Sequence, residues 1–128
     1  MKLPIINHKD YFAKIGDDHR FPINKFGELA NYLLKKKLVE NFHTPYPCSD
    51  ETLKRAHSES YIKHIKNKTL DEKSVKKIGF PLVDSVVKRS LVATGGTVLA
   101  SKLAINYGLA CNTAGGSHHA NFNGGAGY

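Results

Sequence analysis

The residues of this sequence best suited to chemistry are two adjacent histidines, His118 and His119. They lie between glycine pairs in the segment NTAGGSHHANFNGGAGY, which carries no charged residue. Imidazole titrates near neutral pH, so one ring of such a pair can take up a proton while its neighbour supplies a hydrogen bond or a positive charge. Glycines beside the pair let the backbone approach a ligand closely. The segment is therefore a candidate acid–base site.

Two other interpretations of the histidine pair stay open from the residues alone. A bare pair is also typical of an exposed loop without a chemical role. A metal site is the second alternative, although the pair gives at most two ligands and the loop adds no carboxylate or thiolate. The remaining histidines are expected to be structural or at the surface: His8, His19, His43, His57 and His64. Among these, His19 is the candidate exception because it lies in a predicted loop.

An alternation of helix and strand is predicted to position the pair. The apolar run LPIIN, at residues 3–7, predicts a buried strand. The segment from Pro81 to Tyr107 predicts a long helix, which Gly108 is well placed to end in a left-handed cap. LACNTA then predicts a second buried strand that leads directly into the histidine loop. Because ligands of α/β proteins gather at the carboxyl ends of strands, the pair is expected at such an end.

Shorter helices are predicted between these two strands. Apolar residues recur at helical spacing from Lys25 to about Leu38, with Asn24 as the N-cap. Ser49 is predicted to cap another helix, whose first turn carries acidic residues where the helix dipole favours them. This helix is expected to be interrupted near Ser58.

Two further stretches bear on how the helices connect and pack. The polar segment KNKTLDEKSVKK predicts a surface connection. Within the long helix, Gly95 and Gly96 indicate either a break or a point of close packing.

Composition bounds the class of protein. A chain of 128 residues is long enough for one domain with a core, and its net charge of +8 invites comparison with nucleic-acid-binding proteins. The lysines, however, occur as LLKKKL and as a scatter from Lys63 to Lys77, without interleaved aromatic residues or an arginine-rich stripe. That distribution is typical of a solvated helical surface, so a nucleic-acid partner is not expected.

Membrane and extracellular classes are not expected either. No apolar run approaches the ~18 residues that a membrane span needs. Cys48 and Cys111 have neither the spacing of a zinc clip nor the density of a disulfide framework. They are predicted to be reduced thiols in a cytoplasmic protein.

The ordered motifs of the chain resemble those of the histone deacetylase family, especially its class IV branch and the bacterial deacetylase-like proteins. TGGTVLASKLAINYGLACNTAGGSHHANFNGGAGY resembles the family's helix, strand and Gly-Gly-x-His-His-Ala loop, followed by a Gly-aromatic pair. DDHRFPINKFGEL, LKRAHSESYIKHI and IGFPLV are similar to further segments of that branch. The resemblance covers nearly the whole chain and implies an α/β fold, the amino-terminal part of an arginase/deacetylase-type fold with a mostly parallel sheet flanked by helices.

The resemblance also implies an activity and site residues. Family members remove acyl groups, usually acetyl, from the amines of lysine or polyamines by zinc-assisted hydrolysis. By the motif match, His119 is the general base that activates water and then protonates the leaving amine, while His118 tunes it electrostatically and helps to orient the water. Gly127 and Tyr128 match the Gly-aromatic pair that lines the tunnel around the acyl-lysine stem, where an aromatic face suits a methylene chain.

The sequence departs from the family pattern at several points. Ser117 stands where many members have an aromatic residue, and Tyr128 replaces the commoner Phe, so a roomier pocket floor and an added wall hydroxyl are expected. The family's zinc ligands, an Asp-x-His and a later Asp, and its carbonyl-polarising Tyr have no counterpart within these 128 residues. Residues 1–128 are therefore expected to be an incomplete histone deacetylase domain that binds no zinc by itself, and its own activity is left open.

Three functional hypotheses follow. The first is that the chain is a truncated deacetylase. The second is that it is a non-catalytic module, which either binds acyl-lysine or pairs with a complementing carboxyl-terminal fragment or an oligomer. The third, from net charge alone, is that it binds nucleic acid. Charged residues become rare after Ser85: Lys88, Arg89 and Lys102. A segment this apolar is expected to be buried on more than one side, which favours a missing partner and predicts marginal solubility for the isolated chain.

Overall fold

The computed structural model describes residues 3–127 of the chain, as a helical layer packed on short strands. The strands are β1 (Ile5–Ile6), β2 (Cys111–Asn112), β3 (His119–Asn121) and β4 (Gly124–Ala126). The helices are α1 (Lys25–Lys35), α2 (Asp50–Leu53), α3 (Glu59–Asn67), α4 (Glu72–Ile78) and α5 (Asp84–Tyr107). A single 3-10 turn, Lys9–Tyr11, follows β1.

The first and second predicted strands pair with each other in parallel. Ile5 lies opposite Cys111 and Ile6 opposite Asn112, and an isolated parallel bridge joins Ile6 to His43 on the other edge of β1. The helices lie in the connection between β1 and β2. Because β2 is the last strand before the histidine segment, its carboxyl end delivers the chain to the candidate site, as the sequence predicts.

The predicted long helix is confirmed as α5, and its glycines are packing points rather than a break. The helix is continuous through Gly95 and Gly96, and Gly108 ends it at φ 82°. A Cβ on Gly95 would lie 2.0 Å from the Tyr46 carbonyl oxygen, and one on Gly96 would lie 2.2 Å from the Tyr11 hydroxyl. Such close packing is possible only because glycine has no side chain. Gly95 therefore lets α5 approach the loop before α2, and Gly96 lets it approach the 3-10 turn that contains Tyr11.

Tyr11 ties the start of the chain to β2 and α5. Its ring is 1% exposed, and its hydroxyl donates to Asn112 Oδ1 at 2.8 Å. Its backbone carbonyl accepts a hydrogen bond from Arg89 Nε at 2.9 Å. Burial raises the pKa of the Tyr11 phenol to about 12, against the opposing effects of Asn112 and the Arg89 charge. The phenol therefore stays protonated and able to donate over the whole neutral range.

Local capping signals identify the helices of the middle segment. Ser49 accepts a hydrogen bond from the Thr52 amide, and the predicted interruption is confirmed because Ser58 accepts from the Tyr61 amide and starts a separate helix, α3. Asn24 occupies the N-cap position of α1, but its side chain makes no capping hydrogen bond. That helix ends at Lys35, three residues before the predicted Leu38.

The prediction of a surface connection for KNKTLDEKSVKK was wrong in its second half, which forms α4. Asp71 caps this helix by accepting from the Ser74 amide at 2.6 Å, and Gly79, at φ 81°, ends it. The apolar face of α4 consists of Val75 and Ile78 alone, both half-buried, and two residues are too few for the periodic pattern on which the sequence argument depends. No helix within residues 3–127 has the length and apolarity needed to span a bilayer.

Candidate active site

The glycine-histidine segment forms a short antiparallel hairpin rather than the irregular loop that the sequence predicts. β3 and β4 pair with His119 opposite Ala126 and Asn121 opposite Gly124. The small residues of β4 have low intrinsic strand propensity, so this strand is stabilised by its tertiary contacts. His119 therefore belongs to a strand and is exposed, whereas His118 precedes it and is half-buried. Both rings nevertheless line the same cavity, as described below.

The hairpin is held by the beginning of α3 and by the end of α4. Nδ1 of His57 lies 2.8 Å from the carbonyl oxygen of Asn121, and the Ser58 amide donates to the Phe122 carbonyl at 2.9 Å. Directly after the other strand, the Gly127 amide donates to the Lys77 carbonyl at 3.1 Å. These long-range bonds fix the strand that carries His119.

The His118 ring is held on several sides. Ser117 Oγ lies 3.0 Å from its Nδ1 atom, and the Phe80 ring meets it edge-on with centroids 4.5 Å apart. Gly127 lies against the ring so closely that a Cβ there would be 2.9 Å from His118 Cδ2, and its φ is 146°. The ring therefore has one well-defined position, and Ser117, the departure from the family pattern, contributes a hydrogen bond to it.

The electrostatic surroundings of His118 favour the neutral imidazole. Burial lowers the pKa of His118, and a hydrogen bond with the Ile78 backbone acts in the opposite direction. The positive charge of Arg89 lowers it further, as do His119 and His19 when their imidazoles are protonated. His118 is accordingly neutral at neutral pH, where it adds no positive charge beside His119.

A cavity of about 420 Å³ opens between α3, α4, α5 and the hairpin. Its walls are mostly apolar, and they include the aromatic rings of Tyr61 and Phe80. His118 and His119 both line it, so the structure brings the two predicted histidines together. Gly127 contacts the His118 ring as described above, whereas Tyr128 lies outside the described residues.

Arg89 is a site residue that the sequence argument missed. Its side chain is 6% exposed and lines the cavity, and its guanidinium carbon lies 4.9 Å from the Phe26 ring centroid and 5.9 Å from those of Phe21 and Phe80. Burial lowers the pKa of this guanidinium. Nη2 has no hydrogen-bond partner within residues 3–127. The available signal was that Arg89 is one of the few charged residues after Ser85.

The residues present do not fit the zinc ion that the family resemblance implies. Within residues 3–127, no three side chains of His, Cys, Asp or Glu lie close enough together to hold a metal ion. The chemistry that can be derived from this chain is therefore acid–base chemistry at the two histidines.

Comparison with known proteins agrees with this arrangement. The family model for the histone deacetylase domain matches residues 19–128, which include both histidines. The chain belongs to the histone deacetylase family. The resemblance predicted from the ordered motifs is confirmed.

Two curated relatives are considerably longer than this chain. An uncharacterized protein of Picosynechococcus sp. is 40% identical over 122 residues, which are 94% of this chain and 41% of that protein. Histone deacetylase 2 of Arabidopsis thaliana is 29% identical over 139 aligned residues, covering 99% of this chain and 36% of the relative. This histone deacetylase family chain thus spans about two fifths of the length of the relatives it matches.

A solved structure shows the fold. The crystal structure of an HDAC homolog complexed with SAHA superposes with a TM-score of 0.69, at 22% identity, over 94% of this chain and 36% of that one. The predicted fold class, the amino-terminal part of an arginase/deacetylase-type α/β fold, is confirmed. In this family member the parallel pair of β1 and β2, flanked by helices, is the part of the sheet that the described residues contain.

Proposed function

We propose that this chain supplies the acid–base histidines and part of the substrate wall of a deacylase that hydrolyses acyl groups, such as acetyl, from lysine or polyamine amines. One observation carries the proposal. His118 and His119 line the same apolar-walled cavity, in a chain whose residues 19–128 match the histone deacetylase domain.

The environments of the two histidines support different roles. His119 is exposed on β3, where its ring can take a proton from water and later deliver it to the leaving amine. His118 is half-buried and neutral, so it can hold a hydrogen bond to the water without competing for the proton. This division follows general acid–base logic, in which one group moves the proton and its neighbour sets the orientation.

The cavity wall supports binding of an acyl-lysine stem. A methylene chain makes no hydrogen bonds, so an apolar and aromatic lining holds it by contact alone. Tyr61, Ile78 and Phe80 provide such a lining on the side of α3 and α4. Gly127 and Tyr128, by their match to the family's Gly-aromatic pair, belong to the same proposed wall.

Zinc ligands are proposed to come from outside the described residues. Since residues 3–127 hold no ligand cluster, no step is assigned to a metal here. The chain spans 41% of the Picosynechococcus relative, and an incomplete domain is consistent with that proportion. A cytoplasmic location with reduced Cys48 and Cys111 belongs to the same proposal.

The experiment that tests this function compares two forms of the protein. One is the 128-residue chain, and the other adds whatever the reading frames downstream of codon 128 encode. Both are assayed with zinc on an acetyl-lysine peptide and an acetylated polyamine. Hydrolysis that falls by about 100-fold or more in His119→Ala supports the proposal. Hydrolysis that is insensitive to His119→Ala contradicts it.

A second candidate function is a partner-dependent module, and one observation favours it. Large apolar side chains are exposed on α5 and on several connecting segments: Leu38, Tyr46, Ile105, Leu109 and Phe122. Such surfaces suit a complementing carboxyl-terminal fragment or an oligomer. Co-purification of a second chain, with zinc bound by the pair alone, supports this candidate. A well-folded monomer without affinity for acyl-lysine peptides counts against it.

A further inference from the structure

His19 makes two hydrogen bonds that together define its protonation state. Nδ1 accepts from the backbone amide of Phe21 at 3.0 Å, and Nε2 lies 2.7 Å from the carbonyl oxygen of Gly79. A backbone amide only donates and a carbonyl only accepts, so Nδ1 is bare and Nε2 carries the proton. His19 is therefore a neutral Nε2–H imidazole that bridges the loop before α1 and the residue after α4.

The segment that His19 holds is the one that contacts His118. Phe80 meets the His118 ring edge-on at 4.5 Å, and the Ile78 backbone is close enough to act on the pKa of His118. Gly79, whose carbonyl His19 binds, lies between them. The His19 ring also meets the Phe80 ring edge-on, with centroids 5.2 Å apart. Hence a single side chain fixes both the backbone and the ring that surround His118.

We propose that His19 is a positioning residue for His118. Its hydrogen bond to Gly79 holds the 78–80 segment in the position that orients and desolvates the His118 ring. The structural part of this proposal stands on geometry alone, whereas its consequence for catalysis rests on the proposed function. His19 acts through Gly79 and Phe80, so its effect on the reaction is one of orientation.

The first measurement needs no variant and no activity. In the wild-type chain with ¹⁵N-labelled histidine, the ring nitrogen shifts report the tautomer of each histidine. At pH 7, His19 is expected to carry its proton on Nε2 alone. A proton on Nδ1, or on both nitrogens, would overturn the proposal because Nδ1 could then not accept from the Phe21 amide.

Two substitutions separate the hydrogen bonds of His19. His19→Asn keeps an acceptor for the Phe21 amide, since asparagine readily bonds a backbone amide two residues on, but its side chain is too short to reach Gly79. His19→Gln keeps an amide donor long enough for the Gly79 carbonyl. Both variants remove the imidazole, any charge on it and its ring contact with Phe80. His19→Asn keeps only the bond from the Phe21 amide, and His19→Gln keeps only the bond to the Gly79 carbonyl.

A matched control exists at His8, which immediately precedes the 3-10 turn Lys9–Tyr11. Nδ1 of His8 accepts from the Asp10 amide at 3.0 Å, the same two-residue turn, and His8 does not line the cavity. His8→Asn therefore repeats the chemistry of His19→Asn away from His118.

The expected outcome is specific to His118. In His19→Asn, the ring resonances of His118 move, its titration midpoint rises towards that of an exposed histidine, and the nuclear Overhauser contact between Phe80 and His118 is lost. In His19→Gln and His8→Asn, the ring resonances of His118, its titration midpoint and its nuclear Overhauser contact with Phe80 are unchanged. Unaltered His118 signals in a folded His19→Asn chain would overturn the proposal. If His19→Asn does not fold, the tautomer of His19 in the wild-type chain tests the proposal instead.

Activity provides an independent readout. In a form of the protein that hydrolyses an acetyl-lysine peptide, His19→Asn is expected to lower kcat about 10-fold with KM little changed, because orientation of a reacting group affects the chemical step. Equal kcat in both proteins would overturn the catalytic consequence. If no form of the protein hydrolyses the peptide, the proposed function fails, while the magnetic resonance result still tests the positioning role.

Discussion

Nδ1 of His57 lies 2.8 Å from the carbonyl oxygen of Asn121, a residue 64 positions further along the chain. Because a carbonyl only accepts, His57 carries its proton on Nδ1. The next residue, Ser58, donates its amide to the Phe122 carbonyl at 2.9 Å and also caps α3. The start of α3 is thus bonded to the end of β3, and it thereby sets the position of His119.

Substitution of His57 by alanine is expected to loosen the hairpin. A hydrogen bond of this kind contributes about 1 kcal/mol, so the amides of β3 and β4 should exchange with solvent about five times faster. His64→Ala is the matched control, because Nδ1 of His64 bonds the Thr69 hydroxyl at 2.8 Å at the other end of α3. Equal hairpin protection in the two variants, measured by hydrogen exchange, would contradict the anchoring role.

Gly127→Ala is expected to displace the His118 ring. A Cβ at this position would lie 2.9 Å from His118 Cδ2, and a φ of 146° is strained for any residue with a side chain. The expected loss in free energy of unfolding is about 2 kcal/mol, with altered His118 resonances. A Cβ at Gly124, which begins β4 three residues before Gly127, would meet nothing within 4 Å, so Gly124→Ala should leave the His118 spectrum unchanged. Identical behaviour of the two variants would refute the contact.

Gly95→Ala is expected to be the most destabilising of the simple glycine substitutions. A Cβ there would lie 2.0 Å from the Tyr46 carbonyl oxygen, which is backbone and cannot move aside cheaply. We expect a loss of about 3 kcal/mol or more in urea unfolding. Gly27→Ala, within α1 and without neighbours within 4 Å, should instead stabilise by up to about 1 kcal/mol. If the urea midpoints of Gly95→Ala and Gly27→Ala shifted in the same direction by the same amount, α5 would not pack against Tyr46 as described.

Acid should weaken the fold through His118. Its pKa is lowered in the folded state, so above about pH 6.5, the ordinary histidine value, both folded and unfolded chains hold it neutral. As pH falls below that value, the unfolded chain binds the proton first and stability is lost until the lowered folded pKa is passed. His118→Asn removes this dependence. The measurement is the difference in unfolding free energy between wild type and His118→Asn from pH 7 to 5. A difference that does not change with pH would contradict the burial of the ring.

Local signals predicted most of the helical framework. Ser49 and Ser58 cap their helices by bonding amides three residues on, and Gly108 ends α5 in a left-handed conformation, so each signal is contained within a few residues. The choice between a break and close packing at Gly95 could not be made that way. It depends on Tyr46, which lies 49 positions earlier in the chain and contacts the helix only in the folded state.

The sequence predicted that His118 and His119 face a common cleft, and they line one cavity, but it predicted less of the geometry that holds them. The motif order pointed to His118 and His119, but the hairpin depends on bonds from His57, Ser58 and Lys77, which no local pattern reveals. Burial of Arg89 among phenylalanine rings was missed for the same reason. Short polar helices such as α4 stay ambiguous in the sequence because their capping residues accompany an apolar face of only two residues, Val75 and Ile78.

The central claim is that this chain supplies a working acid–base pair, and a chimaera tests it most directly. The matching 122-residue segment of the Picosynechococcus relative is replaced by this chain, and kcat is measured on an acetyl-lysine peptide with zinc present. We predict hydrolysis that falls by about 100-fold or more in His119→Ala and is unchanged in His64→Ala. A folded chimaera whose hydrolysis survives His119→Ala, or one that is inactive when the parent relative is active, would contradict the account.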